Sequence, residues 1–232
     1  CLLDNFASFA ELRYRVVHDP EYLQRFVEKM TVNVTEMFRD PSFFAHLRQE
    51  ILPKLRTYAF IRIWIAGCAT GEEAYSLAIL LQEHNLLHKS LIYGTDINPS
   101  VLEQAKKAVI PMANLKSYVE NYQLSGGKAD FSSYYTANYN WVKLNPALRE
   151  RIVFASHNLV NDASFNAFQL ILCRNVLIYF DTELQARVLS LFDESLETFG
   201  YLALGSQETL RFSALAPNYE QVGNEKIWRK VK

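Results

Sequence analysis

The sequence is short of the residues that staple a fold, coordinate a metal or span a bilayer. Its three cysteines, Cys1, Cys68 and Cys173, are odd in number and widely spaced. They make neither a disulfide framework nor a CxxC zinc site, which argues for a reducing, cytoplasmic setting. The five histidines show no HExxH or paired ligand spacing, so no metal is expected. The longest apolar runs are about seven residues, far below the roughly 20 of a membrane span, so no membrane insertion is expected. There is no excess of positive charge: 24 Lys and Arg stand against 25 Asp and Glu, for a net charge of -1. Nucleic acid is therefore not suggested as a partner. No internal repeat or low-complexity segment is present. No signal peptide opens the sequence. The start at Cys1 falls inside a helical pattern, so the N-terminal helical domain is expected to be a shortened one.

What is there is an ordinary globular composition, half hydrophobic and 21% charged, over 232 residues. That suffices for one sizeable core, or one core plus a small appendage. Residues 1–57 read as helices. "FASFAELRYRVV" has apolar residues at helical spacing, and Asp19-Pro20 opens "PEYLQRFVEKM". Asp40-Pro41 reads as cap and first turn of a long amphipathic helix. The stretch before it, 31–39, is polar and irregular by pattern.

From residue 60 the texture changes. "IRIWIAG", "LIYGTD", "RIVFASHNL", "FQLILCRN", "GYLALGS" and "KIWRKV" read as strands, with helical patterns "EEAYSLAILLQEH", "NPSVLEQAKKAVI" and "DTELQARVLSLFDESLE" between them. Continuous apolar strands alternating with helices predict an α/β fold with a parallel sheet covered on both faces. Such sheets bind ligands beyond the carboxyl ends of their strands. An aromatic stretch within 111–148 interrupts the alternation. It carries Gly126-Gly127, Tyr134, Tyr135, Tyr139 and Trp141, and suggests a small antiparallel hairpin inserted at about 126–145. The predicted division is a helical segment over 1–57 and a sheet domain over 58–232.

The stretch "IRIWIAGCATGEEAYSLAILL" raises a chemical question. A buried strand meets a small-residue turn and then a helix, the layout of a nucleotide loop. Yet no lysine is present, and Glu72 and Glu73 open the helix where a phosphate would normally sit. The competing reading is that either acid serves only to complement its own helix dipole. Asp96, ending the next strand, is placed to accept hydrogen bonds from ribose hydroxyls. A glycine loop, a ribose acid and acids in place of phosphate contacts describe a nucleoside with a positive tail. S-adenosylmethionine has that chemistry. NAD fits less well, because GCATGEE departs from GxGxxG.

Six blocks then carry a resemblance: "MTVNVTEMFRD" (30–40), "WIAGCATGEEAYSLAI" (64–79), "GTDINPSVLEQAKKAVI" (94–110), "HNL" (157–159), "LCRNVLIYFD" (172–181) and "ALGSQETL" (203–210). In this order they resemble the CheR family, the chemoreceptor glutamate methyltransferases. The resemblance implies a class I methyltransferase fold: a Rossmann-like sheet with a small N-terminal helical domain and an inserted antiparallel β-subdomain. It implies methyl transfer from S-adenosylmethionine to glutamate carboxylates of the cytoplasmic domain of methyl-accepting chemotaxis receptors. The products are a glutamyl methyl ester and S-adenosylhomocysteine. By motif match, Asn33, Thr35 and Arg39 line the cofactor pocket from the N-terminal side, and Ala66 and Gly67 approach by backbone. Glu73 meets the methionine ammonium and Asp96 the ribose. Asn158 and Leu159 flank the adenine. Arg174 and Asn175 close the site. Arg39 and Tyr179 are the expected catalytic pair, orienting the substrate carboxylate. The hairpin is a further candidate, to take a receptor's C-terminal peptide as an added strand.

The loop departs from the family pattern C-S-T-G-E-E-P-Y-S, reading CATGEEAYS here, which keeps both acids and Gly71. Two other readings compete: a non-catalytic S-adenosylmethionine-binding scaffold of a signalling complex, and a small-molecule or nucleic-acid methyltransferase. Arg39, Asn175 and Tyr179 favour the catalytic reading over the first. The second would need a DPPY-like or basic substrate motif, and none is present.

Overall fold

The computed structural model describes residues 6, 8–30 and 34–232. Two helices open it, α1 (Phe9–His18) and α2 (Pro20–Met30). Each begins as its sequence dictates: the Ser8 hydroxyl accepts from the Glu11 amide, and Asp19 Oδ1 accepts from the Tyr22 amide at 3.0 Å. α1 buries none of its residues.

The next helical stretch is different. α3 (Pro41–His46) runs through a π turn (Leu47–Ile51) into α4 (Leu52–Leu55). The widened turn lies ahead of Pro53, which has no amide to give an upstream carbonyl. Phe43, Phe44, Leu47, Ile51, Leu52 and Leu55 are buried in the same core as the sheet residues Ile63 and Ile65. Residues 37–55 are thus part of the sheet's own packing, while 9–30 lie at its periphery. Asp40 stands at the helix start but makes no side-chain cap; its backbone is left-handed and its carboxylate is engaged elsewhere.

The sheet follows in chain order: β1 (Ile61–Ala66), α5 (Glu72–Glu83), β2 (Ser90–Asp96) and α6 (Pro99–Lys107). Asn98 caps α6 by accepting from the Ser100 amide. Then come β3 (Val109–Pro111), α7 (Leu115–Leu124), β4 (Tyr135–Ala137), β5 (Trp141–Leu144) and the single turn α8 (Pro146–Arg149). The chain returns through β6 (Ile152–Ser156), β7 (Phe168–Cys173), α9 (Thr182–Ser195), β8 (Leu196–Leu204), β9 (Tyr219–Gln221) and β10 (Ile227–Lys230).

The large sheet has the order β6-β2-β1-β7-β8-β10-β9. Its first five strands are parallel, and β10 runs antiparallel to β8 and β9. This is a Rossmann-like sheet, as the resemblance implies. Strand periodicity sorts the core onto two faces. Ile63, Ile65, Leu170 and Leu172 pack with α5 on one, and Trp64, Ala66, Ile171 and Cys173 with α9 on the other. Chain order reverses between β1 and β7, so the carboxyl ends of β1, β2, β6 and β7 frame the crevice where such sheets bind ligands.

The small antiparallel sheet has the order β3-β5-β4. It starts well upstream of the expected 126–145 hairpin. Ala108 takes a left-handed conformation (φ 54°) that stops α6, so Val109–Pro111 becomes a strand rather than more helix.

Candidate functional site

The loop between β1 and α5 is built by two glycine-permitted turns. Gly67 (φ 76°) leaves the strand, and Gly71 (φ 90°) opens α5. At Gly67 a Cβ would stand 2.4 Å from Val176 Cγ2, so the backbone there is pressed against the loop after β7. The amides of Gly67 and Cys68 both donate to the Thr95 carbonyl, at 2.8 and 2.9 Å. Asp96 then ties two loops together: Oδ2 accepts from the Ala69 amide at 3.0 Å and Oδ1 from the Asn98 amide at 2.9 Å.

The two glutamates that follow Gly71 have different fates. Glu72 turns away from the cavity and accepts from the Thr70 hydroxyl at 2.6 Å. Burial lifts its carboxyl above the ordinary glutamate value. Glu73 lines the cavity. Its Oε1 accepts from Arg174 Nη1 at 2.6 Å, and its Oε2 has no hydrogen-bond partner among the described residues. Arg174 is almost fully buried. Its Nη2 donates to Asp40 Oδ2 at 2.6 Å and to the Arg39 carbonyl at 3.2 Å, and its plane lies 4.0 Å from the centre of the Phe43 ring. Arg174 Nε is buried without a partner among the described residues.

The turn before α3 presents Arg39. Phe38 and Asp40, on either side of it, both adopt left-handed backbone. The fully buried Phe38 is held by its amide, which donates to Ser76 Oγ at 2.9 Å, while Ser76 Oγ donates to the Glu72 carbonyl at 2.7 Å. Asn121 of α7 donates to the Met37 carbonyl at 3.1 Å, so the inserted segment also braces this turn. Among the described residues the Arg39 side chain makes one weak bond, to the Val34 carbonyl at 3.3 Å, and the rest of its guanidinium has no partner there.

These elements enclose a cavity of about 310 Å³. Of the residues expected at the site, Thr35, Arg39, Gly67, Glu73, Asp96, Asn158, Leu159, Arg174, Asn175 and Tyr179 line it. Ala66 does not; it is buried beneath, in the core on the α9 side. Asn33 lies outside the described residues. Cys68 lines the cavity, with its thiol pushed well up by burial. Cys173 is fully buried in the core against α9 and does not line the cavity.

Four contributors were not legible by type. Ile97 and Val160 add apolar wall beside Leu159. His157 joins the lining between the Trp64 and Phe165 rings. Its Nε2 lies 3.2 Å from the Ala163 carbonyl, which assigns the proton to that nitrogen and leaves Nδ1 an acceptor without a partner among the described residues. Glu36 adds a further acid to the wall. Glu36, Ile97 and His157 lie inside recognised motif blocks and Val160 directly follows one; that position was the signal, and nothing in the residue types alone.

The site is therefore a largely apolar cavity that brings the acids Asp96 and Glu73 together with Arg39 and the half-exposed Tyr179.

Comparison with known proteins bears on this architecture. The family model described as CheR methyltransferase, SAM binding domain, matches residues 33–225. The putative methyltransferase Cher3 of Pseudomonas putida is 48% identical over 224 residues, covering 96% of this chain and 82% of that protein. The chemotaxis protein methyltransferase of Borreliella burgdorferi is 34% identical over 201 residues, covering 80% of this chain and 67% of that one. An uncharacterized 104.1 kDa protein of Rhodobacter capsulatus is 32% identical over 98% of this chain, which spans only 24% of its length. The order of the sheet, the phosphate-averse loop and the match over most of the chain agree: this protein belongs to the CheR methyltransferase family and carries its S-adenosylmethionine-binding domain.

Proposed function

We propose that the cavity holds S-adenosylmethionine and that the protein methylates glutamate side chains on the cytoplasmic domain of chemoreceptors, forming glutamyl methyl esters in the cytoplasm. The observation that carries this reading is the pairing of chemistries in one cavity. Glu73 and Asp96, acceptors for a cationic nucleoside, line the same cavity as Arg39 and the 58% exposed Tyr179, a cation and a phenol that can receive a carboxylate.

The donor set suits the cofactor. Glu73 Oε2 is open to an ammonium group, while Oε1 is fixed by Arg174. Each Asp96 oxygen accepts one backbone amide and keeps capacity for a ribose hydroxyl. Leu159, Ile97 and Val160 give an apolar wall for a flat base. Thr35, Gly67, Asn158 and Asn175 complete the enclosure. The bound cofactor supplies an electrophilic methyl group on a sulfonium.

The residues of this chain need to align and dry the reaction rather than move a proton. An unperturbed glutamate titrates near about 4.3 and is already a nucleophile at neutral pH. Opposite charges neutralise as the methyl moves, so a tight ion pair to the substrate carboxylate would stabilise the ground state more than the transition state. Arg39, loosely tied and half-buried, is suited to orienting that carboxylate. Tyr179, 58% exposed, can present its hydroxyl to the same group. Alignment of this kind can supply several kcal/mol of rate enhancement. The reading also offers the β4 edge of the small sheet, beside the exposed Tyr139, as the place where a receptor's C-terminal peptide would add a strand.

The test is incorporation of labelled methyl from S-adenosylmethionine into cytoplasmic receptor fragments, followed by mild base. Release of the label as methanol, and its loss when receptor glutamates are changed to alanine, is the expected result. Base-stable label, or none with a well-folded protein that binds the cofactor, would remove the ester assignment.

A further inference from the structure

Glu208 is not part of the cavity lining, yet it organises one wall of it. It is 5% exposed. Its Oε1 accepts from the amides of Val176 (2.9 Å) and Leu177 (2.8 Å), and its Oε2 from those of Asn175 (3.1 Å) and Gly205 (2.5 Å). Three successive amides of the loop after β7 thus converge on one carboxylate supplied from beyond β8. Converging amides of this kind form an anion-binding nest. Here the anion is built into the chain.

The loop it holds is not a relaxed one. Asn175 sits at φ 59°, in the left-handed region that, glycine apart, asparagine and aspartate enter most readily and other residues avoid. Val176 presses on Gly67. The turn that follows, Leu177–Tyr179, carries Tyr179, and is closed from its other side by Gln185 Nε2 donating to the carbonyls of Leu177 and Phe180 at 3.0 Å each. There is no slack beside the carboxylate: a Cβ on Gly205 would lie 2.7 Å from Glu208 Oε2 and 2.8 Å from the Asn175 nitrogen.

We propose that Glu208 is a positioning residue for methyl transfer, its carboxylate setting the Asn175–Tyr179 turn and thereby the placement of the Tyr179 hydroxyl at the mouth of the site. This rests on the reading that Tyr179 orients the substrate carboxylate. The chemistry requires an anion with two acceptor oxygens, each serving two amides. A glutamine has one acceptor oxygen and would aim its NH2 at two amide donors, so it cannot replace the group although it matches it in size.

The experiment is a double-mutant cycle on kcat for receptor-fragment methylation, using Glu208→Gln, Tyr179→Phe and the two combined. Each single change is expected to lower kcat about tenfold or more, the scale of a catalytic group displaced by a fraction of an ångström. The double variant is expected to be no worse than about the poorer single one, because both remove the same oriented hydroxyl. A lowered melting temperature with unchanged kcat per folded molecule would overturn the proposal, reducing Glu208 to a structural role. So would losses that multiply. If Glu208→Gln does not fold, Glu208→Asp replaces it; it keeps the charge, shortens the reach, and is expected to show the same loss in the same cycle. A wild-type protein without methylation would overturn both this proposal and the function beneath it, whereas an active wild type with an unaffected Glu208 variant overturns this proposal alone.

Discussion

Replacing Arg174 with methionine tests how the acid side of the pocket is held. Its guanidinium is 4% exposed and bridges two carboxylates, each at 2.6 Å: Glu73, 15% exposed, and Asp40, 44% exposed. Removing one partner of a buried pair costs about 3–5 kcal/mol, because the other charge is stranded. That term belongs to Glu73. Asp40 can rehydrate and adds at most about 1 kcal/mol. Methionine keeps apolar contact with Phe43, so most of the packing survives. The expected loss is about 4 kcal/mol, or roughly 8–16 °C in melting temperature for a chain of this size. Urea unfolding at neutral pH followed by circular dichroism measures it. Since the cost is a stranded charge and not a lost contact, adding Glu73→Gln to Arg174→Met should restore at least half of it. A loss below about 1 kcal/mol would contradict the stranded-charge reasoning, as would a double variant no more stable than the single one.

Three further outcomes are expected. Gly67→Ala meets both a left-handed backbone and Val176 Cγ2 at 2.4 Å; it should weaken S-adenosylhomocysteine binding at least about tenfold, read by titration, because the loop after β7 must move to admit the methyl group. Ser76→Ala leaves the amide of the fully buried Phe38 without an acceptor and should cost about 1–3 kcal/mol in urea unfolding, with a further fall in kcat as the Arg39 turn loosens. Glu72 shows a pH signature. Burial raises its carboxyl in the folded state, so the folded protein holds that proton to higher pH than the unfolded chain, and stability falls as pH rises through the interval. Glu72→Gln should therefore be more stable than the wild type at neutral pH, and this advantage should vanish below the ordinary glutamate value of about 4.3, which urea midpoints at acidic and neutral pH would show.

Much of the sheet was legible because its central strands are largely apolar. All six residues of Phe168–Cys173 are buried, and the run reads as a central strand without ambiguity. The elements that escaped notice had weak or misleading local signals. β3 hid behind α6 because the stop is Ala108, which carries no glycine or proline signature. α7 has its buried tyrosines, Tyr118 and Tyr122, one helical turn apart amid polar residues, so its apolar stripe is too thin to see in sequence. β9 is three residues long and follows Pro217. At the site, the motif residues that share a loop or a strand end were readable together. Pairings across the chain were not. Nothing local tells that Glu73 meets Arg174 101 positions away, or that Asp40 is drawn from capping its helix to the same guanidinium. By residue type the two glutamates of the α5 start are equivalent, and only the family resemblance singled out Glu73; in the structure Glu72 is buried against Thr70 and Glu73 faces the cavity.

The measurement closest to the central claim is calorimetric titration with S-adenosylhomocysteine of the wild type and of Asp96→Ala. Asp96 joins the two loops that shape the pocket and is the proposed ribose acceptor. One saturable site in the wild type, weakened by at least about tenfold in a variant that still folds, is the predicted result, equivalent to about 1.4 kcal/mol or more of lost binding. Equal affinity in both proteins, or no binding by the wild type, would contradict the placement of the cofactor in this cavity.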